Sequence, residues 1–217
     1  MSIQRRFTSE ELERIKSAVH KAEEKISGEI VPVFVERSGF YTIANYRGGI
    51  LLAGFTFIAI ILFDRYVPSL AILDPMLIFM VVATSGIMGG IITHAVPFIK
   101  RRLISRAHLD QATRKRAETA FLEEEVFNTR QRTGILIFIS FFEHEVMVLA
   151  DRGISKVVDQ KEWDAMVQHI IEKVRMGQIT EGIEDAIHRC GEILYEKGFL
   201  KTADDINELR DDLRTDE

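Results

Sequence analysis

Two long apolar runs dominate the first half of the chain. From Gly48 to Phe63 no residue carries a charge, and from Met76 to Ile99 only His94 can ionise. At ~1.5 Å per helical residue, about 16 residues reach roughly 24 Å, a little short of a bilayer's hydrocarbon core. Tyr46 and Tyr66 flank this run and extend it as interfacial aromatics. The second run, about 24 residues and roughly 36 Å, spans with some tilt. Between them Asp64, Arg65, Pro68, Asp74 and Pro75 form a short polar connection. The pattern predicts a transmembrane helical hairpin over 48–99. The competing reading, two buried helices of a soluble protein, is disfavoured because core helices rarely run this far without a charge.

Outside the hairpin the periods are those of an ordinary α/β domain. Phe7, Thr8 and Glu11 supply a staple residue, an N-cap and a capping-box acid, so a helix starts near Ser9, and Leu12, Ile15, Val19, Ala22 and Ile26 line its buried side until Gly28 stops it. The apolar residues of Glu29 to Glu36 are too continuous for a half-exposed strand, so both faces are covered, while Pro32 points to an edge or a bulge. After the hairpin, Leu103 to about Asn128 reads as a long helix burying Ala117, Ala120, Phe121 and Phe127. Gly134 to Phe142 and Val146 to Leu149 form two strands joined by a turn at Glu143, His144 and Glu145. Two amphipathic helices follow, one lined by Trp163, Met166, Val167, Ile170 and Val174, the other by Ile183, Ala186, Ile187, Cys190 and Leu194. This order predicts a small three-layer α/β sandwich with an inserted transmembrane hairpin. The domain is discontinuous, 7–36 plus 103–198, its first two strands are parallel through a crossover that carries the hairpin, and 199–217 is an acidic tail.

Charge adds orientation. Arg37 and Arg47 precede the first span, Lys100, Arg101, Arg102 and Arg106 follow the second, and Arg65 alone lies in the connection, so both termini and the α/β domain are expected in the cytoplasm. The same four basic residues are expected to touch lipid, on a helix continuing from the second span into Arg114, Lys115 and Arg116. Gly86 and Gly90 make a small-residue face that either packs the two helices together or forms a homo-oligomer. The net charge of -5 hides an acidic end, Asp204 to Glu217, expected to be mobile and dispensable. The one cysteine, Cys190, fits a reducing compartment and falls on a buried stripe. Met1 to Gly28 is polar, so no secretory signal is expected, and no nucleic-acid partner is expected either.

The candidate chemistry follows from topology. If the first two strands run parallel toward the membrane, Ser27, Glu29, Thr129, Arg132 and Asp151 converge at the membrane-distal end. Two carboxylates, two hydroxyls and a guanidinium suit a divalent cation such as calcium, or a phosphate ester. The same residues also fit a structural role, with Glu29 and Asp151 capping helix ends and strand termini and Arg132 in a surface ion pair. Glu143, His144 and Glu145 read as a solvated turn rather than metal ligands, and His94 as an interfacial residue rather than a proton relay. His20, His108, His169 and His188 sit at no metal-ligand spacing, and the chain has no phosphate-binding glycine loop, nucleophile elbow or paired-histidine zinc helix.

Several stretches carry a resemblance. Ser27-Gly28-Glu29-Ile30, then Ala120-Phe121 with Asn128-Thr129-Arg130, then Thr133-Gly134-Ile135-Leu136-Ile137, and Asp151-Arg152-Gly153-Ile154 with Trp163 downstream together resemble the TPM domain. That family takes its name from a thylakoid acid phosphatase, a photosystem II repair protein and an acetylcholine-receptor modulator. The resemblance covers about residues 7–36 and 105–198, and it implies an α/β sandwich. For function it implies either phosphate-ester hydrolysis or support of membrane-complex assembly. Many members carry a signal and a C-terminal anchor, whereas here the anchor lies inside the domain. Two functions are therefore expected to compete: an accessory or scaffold module that binds another membrane protein, and a metal-assisted acid phosphatase using Glu29 and Asp151.

Overall fold

The computed structural model describes residues 6–67, 74–201, 209 and 214–216. In chain order the elements are α1 (Ser9–Glu23), β1 (Glu29–Val35), α2 (Thr42–Tyr66), α3 (Pro75–Ala95), α4 (Pro97–Arg102), α5 (Arg106–Glu123), β2 (Gly134–Ser140), β3 (Glu145–Ala150), α6 (Arg152–Ser155), α7 (Gln160–Arg175), α8 (Ile179–Glu196) and β4 (Arg214–Asp216). They form two compact units, Met1–Ser38 with Asp110–Glu217, and Gly39–Leu109.

The first unit is an α/β domain on a four-stranded sheet ordered β3-β2-β1-β4. β1 and β2 are parallel, with Glu29 opposite Gly134 and Val35 opposite Ser140, and β3 returns antiparallel to β2. Alternation along each strand divides the core in two. Ile30, Phe34, Ile135, Ile137 and Ile139 pack with α1, α7 and α8 on one face. Val31, Val33, Val35, Leu136 and Phe138 meet Ala117, Ala120 and Val126 on the other. Both faces are thus covered, which is why the strands read as unbroken apolar runs.

Local chemistry sets the element ends. Thr8 caps α1 within a complete capping box with Glu11. The helix ends at Glu23, before Gly28, and the freed chain lets the buried Glu23 carboxylate accept the Ile30 N–H at 2.8 Å. Pro32 lies two residues on, with its backbone nitrogen on the same side of β1 as that of Ile30. Among the described residues β4 pairs only with Val33–Val35, so no described strand calls for an N–H at Pro32 on that side. Within the acidic tail, expected to be mobile and dispensable, Arg214–Asp216 adds a parallel strand and Arg214 Nε lies 2.8 Å from Glu124 Oε2. Most of Asp204–Glu217 lies outside the described residues, as does Pro68.

The second unit is the hairpin. α2 and α3 are both long and apolar enough to cross a membrane. The first begins at Thr42, well before the charge-free run, and its 25 residues reach about 37 Å. Small residues face each other across the pair. A Cβ built on Gly89 would lie 2.6 Å from the Gly48 carbonyl oxygen, and one on Gly49 would lie 2.8 Å from that of Gly86. The helices approach as closely as small-residue faces allow. Gly86 and Gly90 thus face α2 within one chain, the first of the two arrangements that the sequence left open. The outer surface is apolar, with Phe55, Ile58, Phe79, Ile87 and Ile91 all exposed.

The second span is shorter than its apolar run. α3 stops at Ala95, because Pro97 drives Val96 out of the helical region (φ -110°, ψ 100°). A second break at Leu103 to Ser105 separates α4 from α5. The basic residues past the span therefore do not ride one continuous helix into Arg114, Lys115 and Arg116.

Candidate functional site

The sheet end where β1 and β2 begin and β3 finishes holds the five residues singled out from sequence. Asp151 follows β3 directly, its N–H donating to the Gly134 carbonyl at 2.9 Å. Its side chain is buried and N-caps α6, Oδ1 accepting the Arg152 N–H at 2.6 Å. The other oxygen, Oδ2, sits 2.9 Å from Arg132 Nε, an ion pair whose alignment falls short of a hydrogen bond. Arg132 itself is 51% exposed and lies over the Phe127 ring at 5.6 Å. Phe127 serves as that platform, and its expected place in the core is taken by the fully buried Val126.

The loop that presents Arg132 is tightly built. Arg132 adopts a left-handed φ of 58°, its N–H donating to the Thr129 carbonyl at 3.1 Å. The Thr129 hydroxyl accepts the Thr133 N–H at 2.9 Å, and the Thr133 hydroxyl donates to the Ser27 carbonyl at 2.6 Å. Ser27 Oγ donates to Gln131 Oε1 at 3.3 Å. Gly153 N–H donates to the Arg132 carbonyl at 3.0 Å, and a Cβ there would fall 2.5 Å from that same oxygen. The Asp151-Arg152-Gly153 sequence thus has a structural reading: an aspartate that caps, and a glycine that lets the loop approach.

Glu29 starts β1 in register with Gly134, its N–H donating to the Thr133 carbonyl at 3.3 Å. The structure therefore brings Ser27, Thr129, Arg132 and Asp151 into one bonded network and sets Glu29 at the same sheet end. Both oxygens of Asp151 already face protein donors, so a cation ligated there would have to displace Arg132. No group of three or more His, Cys, Asp or Glu among the described residues could hold a metal ion. A phosphate ester fits better, because the half-exposed guanidinium offers donors to solvent.

The opposite sheet end holds what the sequence reading missed. Glu143 is completely buried, not solvated. Its Oε1 accepts the Ser38 N–H at 2.9 Å, and its Oε2 accepts the Ser140 hydroxyl. Ser38 Oγ in turn donates to Ser140 Oγ at 2.8 Å. His144, with φ 59°, turns the chain so that Glu143 points inward. The only sequence signal was Ser140 ending an apolar strand three residues before an acid. Buried and bonded in this way, the trio ties the ends of β1 and β2 and presents no face to a substrate.

The other candidates are settled by their partners. Cys190 is buried with Sγ 3.6 Å from Met166 Sδ, and burial pushes its thiol up to about 12, so it is core. His169 pairs with Asp185 at 2.9 Å on the wall of an open groove of about 620 Å³ between α7 and α8. Within the hairpin, His94 Nδ1 lies 3.4 Å from Asn45 Nδ2 near the end of α3.

Comparison with known proteins agrees with this geometry. Residues 101–193 match the family model described as TPM domain. The NMR structure of BA42 protein from the psychrophilic bacterium Bizionia argentinensis superposes with a TM-score of 0.60 at 20% identity, covering 97% of this chain and 95% of that one. No curated protein matches the chain. The segment matched, similar to the TPM domain, includes Arg132, Gly134, Asp151 and Gly153, the residues that build the loop and its cap.

Proposed function

We propose that this chain is a membrane-anchored accessory module whose TPM domain binds another membrane protein and supports the assembly or maintenance of its complex. One observation carries the reading: the site with the most chemical promise is spent on structure. Asp151 caps α6 and faces Arg132, and Thr129 and Ser27 hold the loop. What the network presents to solvent is a positioned guanidinium over an aromatic ring, a recognition element for a carboxylate or phosphate group. Both termini and the domain lie in the cytoplasm, a placement argued from the basic residues that flank the two spans.

Chemical crosslinking in native membrane followed by purification of the full chain tests this reading. A discrete membrane-protein partner that is lost with Arg132→Glu is expected, and recovery of the chain alone would refute it.

A second reading, a metal-assisted phosphatase, draws on Arg132 and Asp151 standing together at the sheet end that also holds Glu29. It predicts hydrolysis of a generic phosphomonoester that depends on divalent metal and falls with Asp151→Asn. The module reading predicts no turnover in either protein.

A further inference from the structure

We propose that the corner between α4 and α5 is a binding site for the headgroup phosphate of an anionic phospholipid. The inference rests on the membrane-spanning reading of α2 and α3. It begins at the break after Ala95, where Pro97 turns the chain out of the second span within one residue. α4 then presents Phe98, 71% exposed, followed by Lys100, Arg101 and Arg102 in its last turn. Arg47 of α2 donates to the Leu103 carbonyl at 2.7 Å and pins the end of α4 to the hairpin. Buried Ile104 and Leu109 form the floor beneath.

The result is a cavity of about 210 Å³ lined by Phe98, Arg101, Arg102, Ile104, Arg106 and Leu109. This is smaller than the roughly 300 Å³ at which pockets for whole small molecules begin, and it suits one phosphate with its ester oxygens. Three guanidinium groups around one cavity would repel each other without an anion. Arg14 and Arg189, by contrast, are paired with Glu184 and Glu192. Among the described residues, Lys100, Arg101, Arg102 and Arg106 have no carboxylate partner. α5 opens on Arg106 with no acidic residue in its first turn, so a positive side chain sits at the positive end of a helix. An anion between them relieves that conflict, and arginine forks bind phosphate oxygens in pairs. Phe98 beside the cavity gives the site a group to sink among acyl chains, which a free anion would not use.

The test uses the full-length protein in a non-ionic detergent, titrated with phosphatidylglycerol, with phosphatidylcholine of the same chains, and with inorganic phosphate. Bound lipid is counted by native mass spectrometry. Phosphatidylglycerol should bind in preference to phosphatidylcholine. Each of Arg101→Gln, Arg102→Gln and Arg106→Gln should weaken it about fivefold, the factor for ~1 kcal/mol per cation near an anionic surface, and the triple variant on the order of a hundredfold. A control carrying Arg114→Gln, Lys115→Gln and Arg116→Gln removes the same charge and should bind within about twofold of the parent. If far-UV circular dichroism shows the triple variant misfolded, the single variants carry the test. Equal binding of the two lipids, equal loss in the control, or displacement by inorganic phosphate at matching concentration overturns the site. Alkaline carbonate extraction of native membranes separates the two levels. Release of the chain refutes the membrane anchor, whereas a retained chain that ignores lipid charge refutes only the headgroup site.

Discussion

Replacing Asp151 distinguishes a structural carboxylate from a chemical one. In Asp151→Asn the cap on α6 survives, since asparagine caps as well as aspartate. What changes is the side facing Arg132. With its oxygen accepting the Arg152 N–H, the new amide turns its NH2 toward the guanidinium, donor against donor, where an ion pair stood at 2.9 Å. Arg132 is half exposed, so the lost pair is worth about 0.5–1 kcal/mol after screening, and the donor clash brings the cost to roughly 1–2 kcal/mol. Asp151→Ala removes the cap as well, worth about 1 kcal/mol, and should cost roughly 2–3 kcal/mol. Trp163 is the chain's single tryptophan, buried in the α/β unit, so its fluorescence during urea unfolding reports that unit and not the hairpin. Combining Asp151→Asn with Arg132→Gln should give less than the sum of the two changes, with a coupling near ~1 kcal/mol. An unchanged unfolding midpoint in Asp151→Asn, together with lost phosphomonoesterase turnover, would refute the structural assignment.

The remaining predictions concern other parts of the chain. Hydrogen bonds from the Thr8 N–H and hydroxyl, and then from Thr180, hold the Glu11 carboxyl below the usual carboxylate range. Its stabilisation is present above the unfolded pKa and lost as pH falls through the lowered folded value. Glu11→Gln should therefore cost about 0.5–1 kcal/mol at pH 7, with the gap to the parent closing below about pH 4 in urea titrations read at Trp163. Cys190, its thiol pushed up to about 12, should resist a disulfide reagent at pH 8 in the native protein and react fully in urea. Rapid native labelling would mean that the helix pair α7–α8 opens. Gly89→Leu places a side chain against the Gly48 carbonyl and should lower the yield of an engineered Asn45→Cys to His94→Cys crosslink, while an undiminished yield would contradict the close helix approach. Deleting 209–217 removes the pairing of β4 with Val33–Val35 and the contact from Arg214 to Glu124, and should destabilise the α/β unit by about 1–2 kcal/mol without unfolding it. No change in the Trp163 midpoint would restore the tail to a dispensable role.

Much of the fold was legible because its signals are local or periodic. Thr8 and Glu11 mark a helix start through bonds made within one turn, and the apolar runs of β1 and β2 announce strands covered on both faces. The interruptions were harder to read. Pro97 sits inside an apolar run and changes the second span by its backbone geometry alone, and hydropathy is blind to that. The parity of Pro32 could be placed only once the Ile30 N–H was seen to turn to Glu23. At the candidate site, topology alone gathered Glu29, Arg132 and Asp151 at one sheet end. What those groups do depends on which donor meets which oxygen, and that is decided by a left-handed residue at 132 and a close approach at Gly153. Glu143 was misjudged for the same reason. A charged turn residue reads as solvated until the serines of two other segments are brought to it.

The proposed placement, an α/β unit on the cytoplasmic side of a two-span hairpin, is tested most directly by labelling of single cysteines in intact cells. Cys190 is buried, so the parent chain gives a silent background. Asp64→Cys places a thiol in the last turn of α2, beside the connection between the spans, and Met176→Cys places one on an exposed position closing α7. With a membrane-impermeant maleimide, the account predicts that Asp64→Cys is labelled in intact cells and that Met176→Cys is labelled only after lysis. Labelling of Met176→Cys from outside, with Asp64→Cys protected, would contradict it.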